Sequence, residues 1–258
     1  MKNVTPLTRV TLPQAPRNAS PLPWLTSIHS SIGRGPWGSS RYRGNCDGYL
    51  IKDLLQYFGA RSVLDPMTGS GTCRDVCRDL GIPCVSFDIK SGRDASDASS
   101  YRGLEPADFA WLHPPYWRMI RYSENPSCMS NAPSLDAFLG QLTHVLTHCR
   151  NALTQDGHIA VLIGSYQDRQ SGNRQIPLPA LTTQAAIAAG LWPACTDIIR
   201  FQHGNTSSRR TYRSSFIPGL HDVCTVYSEF HQHKKYWPHT KESARVIPLP
   251  ISSKPQMP

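Results

Sequence analysis

The sequence predicts a doubly wound α/β sheet, mostly parallel, with a final antiparallel strand, and three observations predict it. Short apolar runs of strand length alternate with stretches whose apolar residues recur at helical spacing, the pattern of parallel strands joined by crossover helices. Two of these runs, Val63-Leu64 and Cys84-Val85-Ser86-Phe87, end in a carboxylate, Asp65 and Asp88, at the position where open α/β sheets bind ligands. A third run, from Gly157 to Gly164, is apolar throughout, as in a central strand covered on both faces.

In chain order, residues 1–27 hold Pro6, Pro13, Pro16, Pro21 and Pro23 among polar residues and predict an extended arm. Gly-, Ser- and Arg-rich sequence carrying Trp37 and Tyr42 then leads to a helix over 49–58. The first strand ends at Asp65, a small-residue turn follows, and residues 73–80 return to helical spacing. Gly81-Ile82-Pro83 breaks that helix before a second, buried strand over 84–88. Residues 108–112 form the next strand, which runs directly into His113-Pro114-Pro115-Tyr116-Trp117. Two prolines cannot continue a ladder, and they fix the backbone with an aromatic ring immediately beyond. After a loop over 118–132, Ser134 opens a helix reaching about residue 153, and the central strand over 157–164 precedes a polar loop over 165–176. A short helix over 179–190 and strands over 195–201 and 222–230 complete a single domain over 28–232, with a basic, Pro-rich tail over 233–258.

The 258 residues suffice for one domain with a sizeable core. Arginine supplies 20 of the 27 basic residues behind a formal charge of +9, which suits a polyanionic partner and nucleic acid above all. From Ile198 to His221 there is no acidic residue, while Arg200, Arg209, Arg210 and Arg213 stand among Tyr212 and Phe216, a composition suited to phosphate contact. The eight cysteines are scattered without a CxxC pair, read as reduced core thiols, and no transmembrane-length apolar stretch or signal peptide is visible; a cytoplasmic setting is expected. His144, His148 and Cys149 share a helix but have no flanking ligands, so no metal site is expected.

The turn Asp65-Pro66-Met67-Thr68-Gly69-Ser70-Gly71-Thr72 lets a ligand approach the backbone closely. No Lys follows Gly71, so it is not a phosphate loop, and Arg74 stands where the third glycine of the dinucleotide fingerprint belongs. A small ligand other than ATP or NAD is expected. Asp88, 23 positions beyond Asp65, has the separation at which a carboxylate accepts from ribose hydroxyls. In the polar turn beyond it, Asp94 or Asp97 is placed to meet the ligand's base.

That turn, followed by His113-Pro114-Pro115-Tyr116, resembles the amino-group DNA methyltransferases, which methylate adenine N6 or cytosine N4 with S-adenosylmethionine. Segments 45–58, 131–135 and 221–227 are similar in position and character, so the resemblance covers roughly residues 40–230. It implies a seven-stranded Rossmann-like methyltransferase sheet, with Asn45, Cys46, the turn from Asp65 to Thr72, Asp88 and Asp94 holding the cofactor. It also implies His113, Pro114, Pro115 and Tyr116 as the catalytic group, with Trp117, Arg118 and Arg121 shaping a base pocket. Arg200, Arg209, Arg210, Tyr212 and Arg213 would contact the DNA backbone, and loops 117–133, 165–178 and 202–221 would read the target. No metal or membrane is implied, and the protein is expected as a monomer or homodimer.

An exocyclic amine is a weak nucleophile because its lone pair is delocalised, so the site must accept its hydrogen bonds while a rigid turn aims the acceptors. The target base must leave the stack, and Tyr116 is placed to lie flat on it. The family usually has Asp, Asn or Ser where this chain has His113. A neutral imidazole offers one acceptor nitrogen and a protonated one none, so turnover is expected to fall below about pH 6.5, the ordinary value for His. His113 does not lean to either base, and similar Pro-Pro-Tyr motifs serve RNA and protein-glutamine methyltransferases. An inactive nucleic-acid-binding relative is the remaining alternative.

Overall fold

A mixed sheet organises the computed structural model, which describes residues 20–31, 33–201, 219 and 221–229. In chain order the elements are β1 (Ile28–His29), α1 (Tyr49–Phe58), β2 (Val63–Asp65), α2 (Thr72–Leu80), β3 (Cys84–Ser86), β4 (Ala107–Leu112), α3 (Leu135–Asn151), β5 (Leu153–Ile163), β6 (Tyr166–Asp168), β7 (Arg174–Ile176), α4 (Leu178–Ala188), β8 (Leu191–Pro193), β9 (Ile198–Phe201) and β10 (His221–Glu229). Strands lie in the order β1-β9-β10-β5-β4-β2-β3, with β8 added beside β10 and β6-β7 as a separate hairpin. The run β3-β2-β4-β5 is parallel, and β10 enters antiparallel between β5 and β9. This is the mostly parallel α/β sheet that the alternation of apolar periods predicts.

Period-two alternation divides the core between two faces. Phe109 and Trp111 of β4, Ala160 and Leu162 of β5, and Cys224 and Val226 of β10 pack with Leu50, Ile51, Leu54 and Leu55 of α1 and Val76 of α2. On the other face, Ala110 and Leu112, Ile159, Val161 and Ile163, and Tyr227 meet Phe138, Leu142, Val145 and Leu146 of α3 and Ala185 and Ala186 of α4. Covering both faces explains why β5 reads as an uninterrupted apolar run. The helices stop where the sequence permits: Gly59 and Gly81 take left-handed backbone as C-caps of α1 and α2, and the Ser134 hydroxyl accepts from the Ala137 amide at 3.1 Å to open α3.

Several expectations need correction. The strand at 84–86 is the sheet edge rather than a buried strand, because among the described residues nothing pairs beyond it, and Val85 is 38% exposed. The loop at 165–176 contains the β6-β7 hairpin, and the sheet gains an eighth strand where Leu191–Pro193 pairs with the far end of β10. Ile28–His29 adds β1 to the opposite edge, parallel to β9. The arm before residue 20, most of the basic 202–221 segment and the tail lie outside the described residues. Among those described, no helix is long and apolar enough to cross a membrane.

Candidate active site

From β2 the chain moves outward to β3 and then crosses back to β4 on the other side of β2, so the carboxyl ends of β2 and β4 flank a topological switch point. A cleft of about 850 Å³, its open mouth included, lies there. The turn after β2 forms one wall. Gly69 and Gly71 have φ of +52° and +84°, a backbone that residues bearing a Cβ resist. The Thr68 amide donates to the Phe87 carbonyl at 3.1 Å and the Gly71 amide to the Thr68 carbonyl at 2.7 Å. The Asp88 carboxylate accepts from the Gly69 amide and from the Lys90 amide, each at 3.0 Å, which ties the ends of β2 and β3 together. Asp94 accepts from the amide and hydroxyl of Ser96 at 2.8 Å.

Eleven of the twelve residues expected to hold a cofactor line this cleft, the exception being Gly71, which turns the backbone beneath it. Asp65 is 1% exposed, and burial, with the nearby Cys84 thiol adding to it, pushes its carboxyl up to about 8. Burial thus favours its neutral, protonated form, and only a cationic group brought beside it would restore the carboxylate. Asn45 links the preceding segment to the turn, its side-chain oxygen accepting from the Thr72 hydroxyl at 2.5 Å, and Cys46 is buried beside it with its thiol raised to about 12 by burial.

His113, Pro114 and Pro115, carried past the end of β4, line the same cleft. Burial lowers the His113 imidazole, Asp222 opposes that, Arg200 adds to it and Asp47 opposes it, leaving the ring at about 4. The ring is therefore neutral at neutral pH, and the inflection expected near 6.5 moves down to about 4.

Tyr116 is not among the cleft-lining residues. Its hydroxyl donates to Asp222 Oδ1 at 2.9 Å, and its ring meets that of His113 edge-on at 6.0 Å. Burial and then the Asp222 charge raise its phenol well above the ordinary value. Asp222 in turn accepts from Arg200 at 2.9 Å, and Arg200 donates to Asp47 at 2.7 and 2.8 Å. Arg200 is thus 7% exposed and enclosed by two carboxylates, which keep it protonated against the cost of burial. The expectation that it grips nucleic acid is corrected: its donors face inward. Behind this network, a Cβ on Gly164 would fall 2.4 Å from Asp222 Oδ1 and 3.1 Å from the Tyr116 ring, so the end of β5 must be bare there.

Other expected contacts are also redirected. Trp117 is 5% exposed, has φ of +46° and donates from Nε1 to the Ala132 carbonyl at 2.9 Å, so it fastens the 117–133 loop rather than shaping a base pocket. Arg118 stacks on the Trp117 ring and bonds both oxygens of Asp168, holding the β6-β7 hairpin. Arg121 is on the surface, paired with Glu124 at 2.6 Å. Arg209, Arg210, Tyr212 and Arg213 lie outside the described residues.

Sequence reasoning missed Asp47 and Asp222 as site residues; the only signal was an acid standing beside an apolar run, which does not name its partner. It also missed the roles of Tyr42 and Tyr122, which line the cleft and stack with ring centroids 6.0 Å apart.

No family model and no curated protein matches the chain. Among solved structures, a SAM-dependent methyltransferase from Archaeoglobus fulgidus aligns at 17% identity over 74% of this chain and 97% of that one, with a TM-score of 0.43. TrmN from Thermus thermophilus aligns at 16% identity over 74% of this chain and 51% of that one, also at 0.43. A proposed DNA modification methylase, TTHA0409, from the same organism aligns at 17% identity over 53% of this chain and 52% of that one, at 0.37. The chain spans about half the length of TTHA0409. Similarity this low leaves the functional reading to the chemistry of the cleft.

Proposed function

We propose that this protein is an S-adenosylmethionine-dependent methyltransferase that modifies an exocyclic amino group of a DNA base, cytosine N4 or adenine N6. The observation that carries the reading is that the glycine turn after β2 and the His113-Pro114-Pro115 turn after β4 line one cleft at the switch point of the sheet.

The lining suits this cofactor. Its ammonium, ribose hydroxyls and adenine amine are donors, and the cleft presents the carboxyl groups of Asp65, Asp88 and Asp94 beside the apolar side chains of Met67 and Ile89. When bound, the cofactor supplies a methyl group made electrophilic by its sulfonium. Asp65 and the turn hold the methionine part, and Asp88, already fixed by two amides, holds the ribose.

Neutral His113 accepts a hydrogen bond from the target amine through its one free ring nitrogen, and its lack of charge avoids repelling a cationic methyl donor. The Pro114 carbonyl is the second acceptor, aimed by a backbone that two prolines hold rigid. Tyr116 acts as a strut for this turn through Asp222. The aromatic rings placed to meet an extruded base are those of Tyr42 and Tyr122, which line the cleft. The formal charge of +9 supports a nucleic-acid substrate.

Incubation with tritiated S-adenosylmethionine and DNA or RNA, followed by nucleoside mass spectrometry, tests the reading. Label in N4-methylcytosine or N6-methyladenine of DNA is expected. Label confined to RNA would replace the polymer, and failure to bind the cofactor by calorimetry would overturn the proposal.

A further inference from the structure

Three thiols meet where α2 turns back into β3. Cys73 and Cys77 are four residues apart and share one face of α2. The helix ends at Leu80, Gly81 takes left-handed backbone, and the Ile82 amide donates to the Cys77 carbonyl at 2.9 Å, folding the chain so that Cys84 opens β3 against that face. The three Sγ atoms all lie within 4.8 Å of one another. Cys73 and Cys77 are buried, whereas Cys84 is half-buried at the sheet edge.

A tetrahedral thiolate site with bonds of about 2.3 Å spaces its sulfurs about 3.8 Å apart. The cluster therefore needs to contract by no more than about 1 Å, within reach of side-chain rotation on a helix and a strand already fixed in place. Among the described residues no carboxylate or imidazole completes the set, and an all-sulfur donor set disfavours the hard cations Mg²⁺ and Ca²⁺. A disulfide would use only two of the three thiols and would require an oxidant.

We propose that Cys73, Cys77 and Cys84 form a three-sulfur binding site for a soft d¹⁰ cation such as Cu⁺ or Zn²⁺, with the side next to Cys84 open to a water ligand. Binding displaces the three thiol protons to solvent. Cys73 follows the cofactor turn directly and also lines the cleft, so the occupied site would brace that wall from behind. The proposal is independent of the methyl-transfer reading, since its test uses the metal alone.

The full chain, reduced and free of metal, is titrated with Cd²⁺ as a spectroscopic probe. One equivalent should bind with a thiolate-to-cadmium charge-transfer band of the intensity of three Cd–S bonds. In Cys84→Ser, a change at a half-buried edge position, the band should fall by a third and affinity by at least about tenfold. In Cys195→Ser, an exposed cysteine outside the cluster, both should be unchanged. Alkylation read by mass spectrometry needs no variant: Cd²⁺ should protect Cys84 and leave Cys195 labelled. A band worth fewer than three bonds, an unchanged band in Cys84→Ser, loss in Cys195→Ser, or labelling of Cys84 at full Cd²⁺ loading would each overturn the site.

Discussion

The two walls of the cleft are held by different means. On the β2 side, carboxylates and amides bond within short stretches: Asp94 with Ser96, Asp88 with Lys90, and Asp88 with Gly69 only nineteen positions away. On the β4 side, the His113 turn rests on a chain of side chains drawn from across the sequence, with Tyr116 and Asp222 separated by 106 positions and Asp47 and Arg200 by 153. The first wall is mostly a local motif, with Asn45 at Thr72 as its tie to the preceding segment. The second exists only once β9 and β10 have docked, so it should be the more fragile of the two and the more sensitive to distant substitution.

The largest effect should come from removing the centre of the distant network. Arg200→Leu leaves Asp47 and Asp222 buried without their cation, which should cost about 3–5 kcal/mol of unfolding free energy. Denaturant unfolding measures it. A loss under about 1 kcal/mol, the level of a surface pair, would mean that the two walls do not differ in this way.

His113→Ala should lower single-turnover methylation by roughly 10²-fold, the scale for losing one oriented polar group at a reacting atom, while cofactor affinity stays within about twofold. In the native protein, the rate should be independent of His113 titration from about pH 5.5 upward and should fall only on approach to about 4, where the imidazole gains its proton and its last acceptor disappears. An inflection near 6.5 would show instead that the ring is solvated.

Asp65 supplies the matching test on the local wall. Its carboxyl binds a proton more tightly folded, at about 8, than unfolded, at its ordinary value of 3.8. The contribution of this group to stability is therefore greatest at acid pH and declines as pH rises between those values, by up to about 1.4 kcal/mol per unit. Asp65→Asn should remove that slope in the ligand-free protein. A cationic ligand group reverses the preference, so cofactor binding at pH 7 should release a proton, readable by calorimetry in buffers of differing ionisation enthalpy.

This division explains what the sequence discloses. Alternating periods identify the sheet, both helix layers and the turn from Asp65 to Thr72, because those features depend on residues near in sequence. Short edge elements such as β1 and β8, two and three residues long, have no periodicity to read and arise from pairing with strands already formed. Arg200 shows the limit most clearly. Among arginines and aromatic residues in an acid-free stretch it reads as a phosphate contact, yet its neighbours in space are Asp47 and Asp222, invisible as partners until β9 and β10 are paired. Trp117 and Arg118 fail for the same reason: position after the Pro-Pro turn suggests a pocket, while packing directs them into the loop and hairpin.

The smallest expected effect is the most discriminating for the strut. Tyr116→Phe keeps the ring and removes only the donor to Asp222, which Arg200 still neutralises, so the cost in stability should be near the lower end for a bond to a charged group, about 1.5 kcal/mol. Gly164→Ala acts on the same pair from behind: a Cβ 2.4 Å from Asp222 Oδ1 and 3.1 Å from the Tyr116 ring must push them apart. Both variants should lower turnover several-fold with cofactor affinity unchanged, because both loosen the turn that aims His113 without touching the β2 wall. If Tyr116 instead stacked directly on the extruded base, Tyr116→Phe would keep full activity, since Phe stacks as well as Tyr, and Gly164→Ala alone would be impaired. The pair of measurements thus separates a strut from a stacking platform.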